Sequence, residues 1–215
     1  MSEAFLHNPA LPAFLLASLV LAATPGPGVI YILARTLEQG RRAGLSSVAG
    51  VASGNLVNAI GAAIGLAALL TLSSLAFAVI QYAGALYLFY LGVKTLATAP
   101  PSTPGDAFGK AALAAIFRDG FMVAVLNPKT ALFFAAFLPQ FIHPAAPAML
   151  QSMLFGVLFV LIALVTDSIY VLTASAASPA LSRLHKAPRF ARYLSAAVLI
   201  GLAVLAATSA SSRSR

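Results

Sequence analysis

Hydrophobic positions in this chain come as long, nearly unbroken runs. They show neither the narrow apolar stripe of a soluble amphipathic helix nor the alternation of a half-buried strand. A helical membrane span needs ~20 consecutive, mostly apolar residues. Six runs qualify, at about 11–36, 44–70, 74–97, 114–139, 149–177 and 192–209. Polar connectors between them are short, except for 98–113, which is rich in Pro, Gly, Ser and Thr and reads as a linker. The pattern predicts an all-α integral membrane protein with six transmembrane helices. A first three-helix unit spans residues 1–97, and a second spans 114–215. The N-terminal run is read as a retained span rather than a signal peptide, because Glu3 precedes it with no Lys or Arg and it continues past any cleavage site.

Composition agrees. The chain is 60% hydrophobic and 8% charged, against about 25% charged in soluble domains. The net charge is +8, which in a soluble protein would suggest nucleic acid. Here the basic residues sit in short connectors and read as topology signals, so no nucleic-acid partner is expected. Arg35, Arg41 and Arg42 follow the first span. Lys94, Lys110 and Arg118 follow the third span, in or beside the central linker. Arg183, Lys186, Arg189 and Arg192 follow the fifth span. The connectors after spans two and four have no Lys or Arg. The positive connectors are placed in the cytoplasm and both termini outside, with Arg213 and Arg215 dissenting. Span one then enters from outside and span four from inside. Two such three-helix units make an inverted repeat, an arrangement of many secondary transporters.

Two spans carry their own breaks. Span one contains Thr24-Pro25-Gly26-Pro27-Gly28, and span four contains Asn127-Pro128. Pro25 lies 15 residues before Gly40, and Pro128 lies 15 before His143. Interrupted spans in corresponding places of two halves point to a transport site. Thr and Asn are good N-caps, and Pro suits the first helical position. Each pair is therefore read as a helix restarting in mid-membrane at Thr24 or Asn127. A restarted helix offers free N–H groups and a partial positive charge to an anion. Gly26 and Gly28 would allow a ligand near the backbone. The alternative is a proline kink that serves packing only.

Depth supports convergence. At ~1.5 Å per residue, Pro25 lies about 16 Å from the inner end of its span, Asn127 about 19 Å and Lys129 about 22 Å. Asn55 and Asn58 fall at about 16 and 21 Å, and Asp167 at about 15 Å. The hydrocarbon core is ~30 Å thick, so all lie near its middle. Intramembrane charges are costly and usually mark pathways. Asp167 is the acid well inside a span and the candidate for proton coupling, although Lys129 and Asp167 would also serve as a structural pair. Asn55 and Asn58 share a helix face with Gly50, Gly54, Gly61 and Gly65, a small-residue stripe that favours close helix packing. Such faces would also serve a homodimer. Tyr170, one turn from Asp167, joins the candidate substrate-binding set.

Three blocks carry a family resemblance. "ATPGPGVIYILARTLEQGRRAGLSSVAGVASGN" resembles the N-terminal signature of the LysE/RhtB amino-acid exporters. "GFMVAVLNPKTALFFAAFLPQFI" resembles their second signature, and "YAGALYLFYLGVKTL" their third span. The resemblance implies a small bacterial inner-membrane exporter, driven by the proton motive force, that moves amino acids or close derivatives out of the cell. It places Thr24, Pro25, Gly26 and Pro27 in the first motif and Asn127, Pro128 and Lys129 in the second. Many relatives carry Asn where this chain has Gly28, which bears on substrate identity.

The motifs of hydrolases, zinc proteases and nucleotide-driven pumps are absent. His7, His143 and His185 fall outside the spans, and there is no cysteine. Neither enzyme activity, cofactor nor metal site is expected. The alternatives are export of another small metabolite or a cation through the same fold, or a non-transporting membrane scaffold. One acid beside a lysine is a poor site for a hard cation, which wants clustered oxygens.

Overall fold

The computed structural model describes residues 9–65, 74–97, 110–143 and 147–182, and positions 193, 196–197, 199–201 and 203–204. Every regular element among them is helical. The described positions beyond 192 are helical too, but most of the sixth predicted span lies outside the described residues. So do the end of the second span and most of the central linker.

Span one is two helices. Helix α1 runs Leu11–Ala23 and α2 runs Pro27–Gln39, with a 46° bend between them. A residue before proline is pushed out of the helical region, and both Thr24 and Gly26 precede prolines. Both are extended, Thr24 at ψ 119° and Gly26 at φ −145°, ψ −173°. Helix α2 ends at Gly40, whose φ of +83° suits a residue without a Cβ.

Helix α3, Arg41–Ala63, begins three residues earlier than the pattern predicts. Helix α4 covers Ser74–Ala97, the predicted third span. Helix α5, Lys110–Val125, reaches back into the stretch read as linker. After Leu126 and Asn127 the chain restarts as α6, Pro128–Leu132. A π-helical turn, Phe133–Phe137, and a 3-10 turn, Leu138–Phe141, complete span four. Pro139 has no N–H to continue a helical ladder there. Helix α7 covers Ala148–Ser182. Among the described residues, α7 (over Ala148–Ala177) and the bent α1–α2 pair are long and apolar enough to cross a membrane.

Helix α3 is the centre of the bundle, packed between α5, α7 and α2. Its seam with α5 is backbone against backbone. A methyl group at Gly50 would run into the Phe117 carbonyl, and one at Gly54 into the Phe121 carbonyl. Ser46 Oγ donates to the Leu113 carbonyl at 2.7 Å, and Asn58 Nδ2 to the Ala124 carbonyl at 2.9 Å. The main packing therefore joins an element before the central linker to one after it. Apolar residues face outward as well as inward. On α7, Val157, Leu161, Val165 and Ile169 form one exposed row at four-residue spacing, a face suited to lipid rather than water.

Candidate functional site

A helix break leaves orphan carbonyls on one side and orphan N–H groups on the other. In lipid each must find a partner. The C-terminal end of α1 finds several. The Val20 carbonyl accepts from the Thr24 N–H at 3.0 Å and from Thr24 Oγ1 at 2.6 Å. Lys129 Nζ donates to the Leu21 carbonyl at 2.8 Å and also to the Thr24 carbonyl. Tyr170 donates its hydroxyl to the Ala23 carbonyl at 2.7 Å. A cation thus sits at the negative end of a helix, the favourable place for it.

The first restart differs in detail from the sequence expectation. Gly26, not Thr24, is the N-cap of α2, and Pro27, not Pro25, occupies its first turn. A helix begun at Pro25 would need Gly26 to be helical, and Pro27 forbids that. Thr24 instead closes α1. No side chain caps α2, so the N–H groups of Gly28 and Val29 have no helical partner. The second restart follows the expectation. Asn127 is the N-cap of α6, and its Oδ1 accepts from the Lys129 N–H at 3.0 Å. That bond uses one of the donors the sequence reading left free for a ligand.

Both breaks border one cavity of about 40 Å³. Thr24, Gly26, Gly28, Asn55, Asn127, Lys129 and Asp167 line it. Four separate segments of chain meet there, as the depth arithmetic expects. Asn55 and Asp167 are almost fully buried. Among the described residues no ion pair joins Lys129 to Asp167, and no side chain hydrogen-bonds to the Asp167 carboxylate. Lys129 instead lies along Gly26, with its Cδ 3.1 Å from where a Cβ would stand, and spends donors on α1.

Other expected residues lie elsewhere. Asn58 is bonded to α5, and Tyr170 to the end of α1. Pro25, Pro27 and Pro128 shape the backbone and are not in the lining. The remaining lining includes Val51, Thr130, Phe159 and Ala163. Thr130 follows the Asn-Pro-Lys triplet and was findable from that position. The apolar members look like any core residue in sequence.

The family profile described as LysE type translocator matches residues 19–210. The chain belongs to that family. Among curated relatives, the homoserine/homoserine lactone efflux protein of Salmonella typhimurium is 31% identical over 162 residues, covering 75% of this chain and 79% of that protein. Its counterpart from Salmonella typhi is 30% identical over the same length and shares. An uncharacterized membrane protein of Vibrio cholerae is 30% identical over 176 residues, 82% of this chain and 84% of that one. No solved structure matches the chain. Membership in the LysE family makes this a membrane transport protein and not an enzyme.

Proposed function

We propose that this LysE-family chain exports amino acids or close derivatives from the bacterial cytoplasm across the inner membrane, in exchange for protons. The observation that carries the reading is an acid and a base lining one cavity without being joined. An α-amino acid brings the complementary pair, an ammonium and a carboxylate. Asp167 receives the ammonium or, between substrates, the coupling proton. The carboxylate faces the uncapped N-terminus of α2 at Gly28 and Val29, with Lys129 on its flank. Asn55 and Asn127 supply neutral hydrogen bonds. Thr24, Pro25, Gly26, Pro27 and Pro128 hold the breaks open, while Asn58 and Tyr170 fix the surrounding helices.

The cavity has room for only a few waters. A substrate therefore enters when helices part, as alternating access requires. The fold proposed for that cycle is six spans in two inverted three-helix repeats, with both termini outside.

Relatives named for homoserine and homoserine lactone make homoserine the first probe. Cells fed dipeptides and homoserine should accumulate one amino acid or derivative in the medium only when the wild-type protein is present. Asn127→Ala removes an N-cap worth ~1 kcal/mol and should lower that accumulation at matched membrane levels. Identical medium with wild type, variant and empty membrane, read by mass spectrometry across amino acids and their lactones, contradicts the substrate class.

A further inference from the structure

The cavity is flanked on two sides by different materials. On one side stands a cluster of aromatic rings, with Phe14 packed on Phe155 at 4.5 Å between centroids and Phe133 on Phe159 at 5.1 Å. Phe159 also lines the cavity. The other side, toward the basic connectors, is polar and charged. Helix α2 supplies most of it. Tyr31 is fully buried and donates its hydroxyl to the Ile116 carbonyl of α5 at 3.0 Å. Arg35 places its guanidinium over the Tyr31 ring at 5.4 Å and pairs with Glu38 at 3.2 Å. Behind Ile116, Asp119 is held by Lys94 at 3.1 Å and by the Tyr87 hydroxyl at 3.2 Å, both from α4.

We infer that α2 is the moving leaf of the gate on the basic side, latched by Tyr31 to the Ile116 carbonyl. Three observations converge on it. First, α2 is a short rod with a non-helical joint at each end. The Thr24–Gly26 break lies at the cavity and Gly40, at φ +83°, lies at the far end. A rotation confined to those joints leaves the helix intact. Second, its polar holdfast on α5 is one hydroxyl on one carbonyl, a bond that water replaces when the leaf lifts, and the rest of its packing is side chain on side chain, with Ile32 clustered among Val48, Val51, Ala124 and Val171. The α3–α5 seam beside it is backbone on backbone and cannot slide in this way. Third, the leaf carries buried charge. Arg35 Nε is buried without a partner, and buried ion pairs are weak sources of stability compared with apolar packing. A layer built only to seal would be cheaper in leucine. A layer that must part and hydrate is better polar.

The post against which the leaf closes is α5. Lys94, Tyr87 and Asp119 brace α4 to α5 and stay together when α2 moves. Gly28 and Val29, which line the cavity, begin the same rod that ends near Glu38. Displacing α2 therefore opens the cavity itself toward the basic side, whichever solute it carries.

The chain has no cysteine, so a single reporter thiol is unambiguous. Ala163→Cys places one on the cavity wall. Labelling by a membrane-impermeant maleimide is measured from each side in right-side-out and inside-out vesicles, with Tyr31 intact and with Tyr31→Phe. Phenylalanine keeps the ring and loses the hydroxyl, and with it the bond to Ile116 and the contacts to Arg35 and Ser47. Labelling from the basic side should rise about fivefold, the shift that one net hydrogen bond makes in a two-state equilibrium. Labelling from the opposite side should fall. Unchanged labelling from the basic side overturns the latch. A rise from both sides reports a loosened bundle and overturns it equally. No outcome depends on the amino-acid reading, which the efflux assay tests separately.

Discussion

Lys129 is the residue whose role the structure changes most. In sequence it is a lone charge in an apolar run, available to a substrate or to Asp167. In the fold its ammonium ties span four to the broken end of α1 through the Leu21 and Thr24 carbonyls. Lys129→Met would keep the length of the side chain and strip those carbonyls of their donor. Each buried group left unsatisfied costs ~1–3 kcal/mol. The purified variant should melt at a lower temperature than wild type and transport little. Tyr170→Phe also strips α1 of a donor, at Ala23, but removes no charge and spares the cavity lining. It should lower melting by less and leave substantial transport. Equal melting of Lys129→Met and wild type would mean that the lysine is not a cap. Asp167 differs in kind. It is buried, unpartnered among the described residues and aimed at the cavity. A carboxylate set at a polar cavity rather than in an ion pair calls for an explanation outside stability.

At the scale of elements, the break in span one and the seam between α3 and α5 were legible to different degrees. The doubled proline motif announced a break, because prolines restrict the residues before them whatever the tertiary context. Which proline starts the new helix was harder to see, since it turns on Gly26 lying between the two. The glycine spacing on α3 announced close packing, and Gly50 and Gly54 make it. The partner helix could not be read, because a small-residue face specifies closeness and not identity. Asn58 illustrates the point. Its spacing from Asn55 put both on one stripe, yet one side chain reaches the cavity and the other the Ala124 carbonyl. Gly54→Val forces a side chain into the Phe121 carbonyl. Overpacking of this sort costs ~1–3 kcal/mol or more. The variant should reach the membrane in reduced amount and melt early, as read by gel filtration and thermal unfolding in detergent. Gly40→Ala, with open space around it, meets no clash and strains only the local backbone. At its φ of +83° a non-glycine residue costs about 1–3 kcal/mol, so the variant should lose stability with its packing intact.

The whole molecule was legible in class and obscure in mechanism. Long apolar runs with few charges leave only a membrane solution, and basic connectors order the spans. The cavity was foreseen as a level in the membrane, where Asn55, Asn127, Lys129 and Asp167 meet. Its closure was not. Phe14, Phe155 and Phe159 carry no signal that separates them from ordinary core, and Arg35 reads as a topology signal. Only their three-dimensional meeting puts aromatic rings on one side of the cavity and a polar layer on the other. The two groups at the centre, one acidic and one basic, carry the claim that this translocator moves amino acids against protons. The most direct test uses purified protein in liposomes loaded with labelled homoserine, with a proton gradient imposed across the membrane. Wild type should drive the label across in step with the gradient. Asp167→Asn, at equal incorporation, should lose the dependence on the gradient. Gradient-driven movement that survives Asp167→Asn would contradict the assignment of Asp167 as the coupling acid.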